Sequence, residues 1–119
     1  MPIIDHSQAP QNDPFPGIHN KALVTKDKGS AALTVGEVTL DPGMGIPLHI
    51  HPNHEEAILL LEGEIEGVLE GEVRTLSPGY TLLAPAGVKH TIRNRSQQPA
   101  KCLTIFPTTN VQRVIAEGE

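Results

Sequence analysis

The chain has no tryptophan, one tyrosine and two phenylalanines, so aromatic rings make up only 3% of it. Its core therefore has to be built from Leu, Ile and Val. A single cysteine, Cys102, excludes a disulfide within the chain and suits a reducing compartment. No apolar run approaches the roughly 20 residues that a membrane-spanning helix needs. The N-terminus has neither the basic stretch nor the apolar segment of a signal peptide. Positive charge is scarce as well: 9 Lys and Arg against 14 Asp and Glu leave a formal charge of −5. That balance offers little to nucleic-acid phosphates or to an anionic membrane. Helical periodicity with end caps is missing too. These absences lead us to expect a soluble, cytoplasmic protein with no nucleic-acid and no membrane partner.

In their place the 119 residues hold 11 glycines and 11 prolines. Without a collagen-like period, punctuation this dense implies many short strands joined by tight turns. Residues 1–20, with Pro2, Pro10, Pro14 and Pro16, read as an extended N-terminal arm. Residues 21–119 then read as one barrel domain, with strand candidates at 22–25, 32–40, 46–51, 56–61, 64–69, 73–76, 80–84, 89–95, 100–106 and 111–116. In 32–40 the apolar parity switches at Gly36, which predicts a bulge there. Glu70-Gly71 reads as a hairpin turn. Nine or ten such strands and no repeat describe a single all-β domain, a sandwich or barrel.

The chemistry concentrates between Gly43 and Gly63, where His49, His51, His54, Glu55 and Glu56 fall within eight residues. His49 and His51 are two apart, so a strand places both on one face. Two imidazoles make half of a transition-metal site, and a carboxylate and the distant His90 complete a set of four. Glu56 is preferred to Glu55 because it shares parity with Ile58 and Leu60 and is separated from Gly63 by six residues. Three nitrogens and one carboxylate suit one divalent transition metal, Fe, Mn, Ni, Co, Cu or Zn, better than Ca or Mg. His54 and Glu55 are placed at the mouth of the site, His6 and His19 as bystanders, and Cys102 as a small buried apolar residue. Asn94 is assigned local backbone hydrogen bonding.

The spacing can be written Gly43-(x)5-His49-x-His51-(x)4-Glu56-(x)6-Gly63, followed by Gly79-(x)5-Pro85-x-Gly87-(x)2-His90-(x)3-Asn94. Both clusters resemble the two motifs of the cupin superfamily, over residues 43–94. One departure is Tyr80, where relatives often carry Asp. The resemblance implies a double-stranded β-helix, or jelly roll, with His49, His51, Glu56 and His90 as metal ligands. It also implies a metal-dependent enzyme on a small organic acid, sugar or diketone-like molecule, either a dioxygenase-type oxidoreductase or an isomerase or lyase. The alternative is a non-catalytic small-molecule binding or sensing cupin. The apolar residues Ala57, Leu59 and Leu61 and the proline-rich arm both ask for cover, so a homodimer is expected.

Overall fold

Period-two alternation organises much of the chain, and the strands differ mainly in what covers their two faces. The structure, a computed structural model, describes residues 2–116; the last three residues of the expected 21–119 domain lie outside the described residues. Eleven strands occur in it: β1 (Gln11–Phe15), β2 (Ile18–Val24), β3 (Thr34–Leu40), β4 (His49–Ile50), β5 (Glu56–Glu62), β6 (Ile65–Leu69), β7 (Glu72–Leu76), β8 (Thr81–Ala84), β9 (His90–Arg93), β10 (Ala100–Phe106) and β11 (Val114–Ile115). They pair antiparallel in two sheets, a six-stranded one in the order β1-β2-β3-β10-β5-β8 and a five-stranded one in the order β11-β4-β9-β6-β7. This is the jelly roll expected from the sequence.

Inward positions of both sheets meet in one apolar core. Val38 and Leu40 of β3, Ile58 and Leu60 of β5 and Cys102 of β10 face Ile65, Leu76 and Ile92 from the opposite sheet. Aliphatic side chains fill it, as the scarcity of aromatics requires. The hairpin β6–β7 turns on Glu70 and Gly71, with φ of 49° and 85°. Two consecutive positive φ values make the tight turn whose twist matches the flanking strands.

Two local expectations are corrected. Gly36 is not a bulge in its strand, because β3 pairs with β10 in unbroken register from Thr34 to Leu40. The irregularity lies opposite, on β2, between Ala22 and Val24. Gly36 belongs to the inward set with Val38 and Leu40, and Leu33 and Val35 are outward residues. A Cβ at Gly36 would lie 2.7 Å from Asn20 Oδ1 and 3.1 Å from Thr104 Oγ1, so glycine is required there for space. The second correction concerns residues 1–20. They contain β1 and the start of β2, which pair through Gln11↔Lys21 and Asn12↔Asn20. The boundary drawn at residue 20 thus falls inside β2. Pro14 is tolerated in β1 because that strand lies at the edge of its sheet.

Candidate metal centre

The four expected ligands come together between the two sheets. His49 on β4 and His90 on β9 are direct register partners. His51 follows β4 two residues after His49, on the same face, and Glu56 opens β5 in the other sheet. All four are buried, and one ligand atom from each lies within 4.8 Å of the others. Ligands on opposite sides of a common transition metal stand about 4 Å apart, twice a metal–nitrogen bond. The set therefore needs only a small contraction to close on an ion. The turn that delivers His90 is tied to the first motif, since Gly87 N donates to His51 O at 2.9 Å.

Each imidazole is fixed by the backbone. Nδ1 of His49 donates to Pro47 O at 2.7 Å, that of His51 to Gln112 O at 2.6 Å, and that of His90 to Val88 O at 2.9 Å. Carbonyls only accept, so every Nδ1 carries the proton and every Nε2 is left for the centre. Nε2 of His51 and of His90 then lie 3.0 and 2.9 Å from one oxygen, Glu56 Oε1. In neutral rings that contact sets lone pairs against an anionic oxygen, which is repulsive unless a cation sits among them. Two protons would satisfy the hydrogen bonds at the cost of two buried imidazolium charges. One divalent ion satisfies all the inward lone pairs at once, and this donor chemistry fits a transition metal.

Electrostatics agree with ligands held ready to bind. Burial, reinforced by neighbouring His90, Arg113 and His51, pushes His49 down to about 4 against the opposing bond to Pro47, so its ring is neutral at pH 7. Burial would raise Glu56, but its contacts with His51 and His90 outweigh burial and hold it at about 2, a balance that requires positive charge on their side, either Nε2 protons in the metal-free site or a bound cation. Glu56 is thus ionised although its side chain is buried.

The remaining motif residues have other duties. His54 stacks on His51 with ring centroids 5.0 Å apart. Its Nε2 accepts from Gln112 N at 3.2 Å, and its Nδ1 donates to Glu55 O at 3.1 Å, so neither nitrogen is left for an ion. Glu55 is exposed, on the rim of an open polar basin that His54 also lines. Asn94, fully buried, donates to Leu40 O and Gln98 O and accepts from Ser96. Cys102 is fully buried, with burial pushing its thiol up to about 12. His19 is engaged at the surface by Asp13 and Asp41.

A cavity of about 230 Å³ opens beside His49 and Glu56, walled by Ile18, Val38, Ile58, Ile92 and Phe106. Two contributors to this region carry no signal in the sequence. Gln112 fixes His51 through its backbone, and Arg113 reaches the cavity wall. Both lie about 60 residues from the first motif, in a stretch with no motif of its own.

Three comparisons bear on this arrangement. A tetracenomycin polyketide synthase protein, TcmJ of Streptomyces glaucescens, is 30% identical over 86 residues, covering 71% of this chain and 58% of that protein. Quercetin 2,3-dioxygenase of Bacillus subtilis is 40% identical over 63 residues, covering 51% of this chain and 19% of the dioxygenase. This chain therefore spans less than two thirds of either relative. In fold, it matches the polyketide cyclase RemF of Streptomyces resistomycificus with a TM-score of 0.85 at 19% identity, over 100% of this chain and 87% of that one. The family model described as "Cupin domain" matches residues 36–106, which include His49, His51, Glu56 and His90, and the chain belongs to the cupin family.

Proposed function

We propose that this cupin is a metal-dependent enzyme whose substrate is a small, oxygen-bearing molecule with an apolar body, held in the barrel cavity. The carrying observation is the orientation of the cluster: three Nδ1 protons committed to backbone carbonyls, leaving three Nε2 atoms and one ionised carboxylate turned toward a single point. His49, His51, Glu56 and His90 would hold one divalent transition metal. Such an ion supplies Lewis acidity toward substrate oxygens and, where it is redox-active, chemistry with O₂.

The chain's own residues do the rest. Aliphatic walls exclude water from the substrate's body and strengthen every polar contact inside. Besides His49 and Glu56, the cavity lining contains no histidine, carboxylate, cysteine, lysine or tyrosine. Proton transfer therefore falls to the ligand set or to water, which supports an oxygenation, isomerisation or lyase-type reaction over hydrolysis by a dedicated acid–base pair. The same shortage favours a second reading, a barrel that captures a small molecule without turning it over.

Metal content by mass spectrometry on untagged protein, beside a His49→Ala/His90→Ala double variant, tests the reading. About one transition metal per chain, lost in the variant, supports it. A redox-active ion directs the search to O₂ consumption, and zinc to isomerase and lyase assays. Metal retained by the variant, or failure of the wild type to take up Fe, Mn, Ni or Zn, overturns it.

We also propose a homodimer through the outer face of the six-stranded sheet. There Ala57 pairs with Leu83, and Leu59 with Leu103, with Leu61 at the exposed end. A strictly monomeric species at micromolar concentration by light scattering would remove this proposal.

A further inference from the structure

The cavity has one charged side chain that the metal cluster does not use. Arg113 precedes β11, and its guanidinium lies over the ring of Phe15, the last residue of β1, with Cζ 5.5 Å from the ring centroid. Both residues line the cavity that His49 and Glu56 also line. An aromatic face fixes the plane of a guanidinium while leaving its in-plane N–H fork unspent. Among the described residues no carboxylate forms an ion pair with Arg113, whereas Arg93 and Arg95 share Glu66.

The charge balance of the cavity is unlike that of the protein. The chain carries −5 overall, yet the lining contains one acid, Glu56, and one cationic side chain, Arg113, beside the neutral ring of His49. Glu56 is already committed to His51 and His90. A divalent ion at the cluster would leave the lining with two positive charges in a mostly apolar surround, a setting that selects an anion. Size limits it further: about 230 Å³ is below the roughly 300 Å³ at which pockets for drug-sized ligands begin. The apolar body is therefore a single ring or a short chain.

We propose that Arg113 is the positioning and specificity residue for a substrate carboxylate, held by its guanidinium fork, with the apolar body between Arg113 and the cluster. The carboxylate half of this proposal stands on Arg113 and the cavity. The statement that the other end meets a metal rests on the reading above.

The probe is benzoate, with benzamide as its neutral isostere, titrated by calorimetry into the full chain as purified and again after chelator treatment. Wild type should bind benzoate at least about tenfold more tightly than benzamide in both preparations. Arg113→Gln should reduce that preference to about twofold or less while leaving benzamide binding unchanged, and Arg113→Lys should keep part of it. Raising chloride should weaken benzoate but not benzamide, a readout on wild type that needs no variant. Preference retained by Arg113→Gln, or no benzoate binding at about 10 mM, overturns the proposal. A preference seen only before chelation assigns the carboxylate to the metal and also overturns it. A metal-free wild type that still shows an Arg113-dependent preference would separate failure of the metal reading from failure of this one.

Discussion

At the surface, His19 lies between two carboxylates, with Nδ1 2.8 Å from Asp13 Oδ1 and Nε2 3.0 Å from Asp41 Oδ2. Inside the barrel, Glu56 lies between two histidines at 2.9 and 3.0 Å. The distances are nearly the same and the chemistry is opposite. His19 spends both nitrogens on acids, which raises its pKa, the bond to Asp13 contributing most and that to Asp41 next. Protonated, it completes its triad and offers nothing to an ion. In the buried cluster the three Nδ1 atoms are occupied by carbonyls, and the nitrogens left over converge on one another. What makes a candidate metal centre is which nitrogen is left free and how little water reaches it, rather than histidine–carboxylate proximity.

The largest break in this comparison is Glu56→Gln. It keeps the shape of the side chain but removes the one negative charge facing the Nε2 atoms. Metal affinity, measured by chelator competition, should fall by more than about 100-fold, beyond the loss expected from removing a supporting hydrogen bond. Retention within a few-fold would mean that the cluster does not hold the ion.

A chain ending at Asn110 probes the support. It lacks the Gln112 carbonyl that fixes Nδ1 of His51 and the pairing of Val114 and Ile115 with β4. Loss of an outer partner of a histidine ligand costs about 10–100-fold in metal affinity. Gln112→Ala is the control: it removes the side-chain bond from Asn53 but keeps the carbonyl. Its affinity should stay within about threefold of wild type, since only the backbone group orients His51.

That support marks the limit of what was legible in the sequence. His49, His51 and Glu56 are local, so strand parity alone brings two of them to one face, and the glycine and proline spacing brings in His90. The jelly roll follows from the same alternation and turn chemistry, and Glu70-Gly71 forms the turn its residues demand. Gln112 and Arg113 were not legible, because their roles depend on the return of the C-terminal stretch to β4, a tertiary event without a local pattern. Gly36 was misread for a related reason. Its missing side chain answers Asn20 and Thr104 across the sheet, and the alternation of its own strand continues through it.

The comparison sharpens when the metal-free protein is titrated. His49 ordinarily titrates near 6.5 and in the barrel near 4. Between those values the unfolded chain takes up a proton that the folded chain refuses, so stability falls as pH drops through that window. Glu56 extends the loss from its ordinary 4.5 toward 2, because the folded carboxylate stays ionised while the unfolded one is protonated. At the alkaline end the thiol of Cys102 is raised from 9 to about 12, so the unfolded chain ionises first and stability falls above 9. Urea midpoints should therefore form a plateau between about 6.5 and 9 and decline on both sides. A flat midpoint down to pH of about 4 would contradict the burial of His49 as a neutral ring.

The smallest effect belongs to His19→Gln. Its raised pKa has the reverse sign: the interaction with Asp13 and Asp41 is fully present below the ordinary 6.5 and is lost as pH rises through the higher folded value. Solvent screens it, because the His19 side chain is 32% exposed and its two acids are 60% and 48% exposed. The variant should keep its full metal content, and its melting temperature should move by no more than about 2 °C, in the direction of slightly lower stability on the acid side only. A loss of metal comparable to that of Glu56→Gln would show that the two clusters communicate, and the distinction drawn from nitrogen availability would fail.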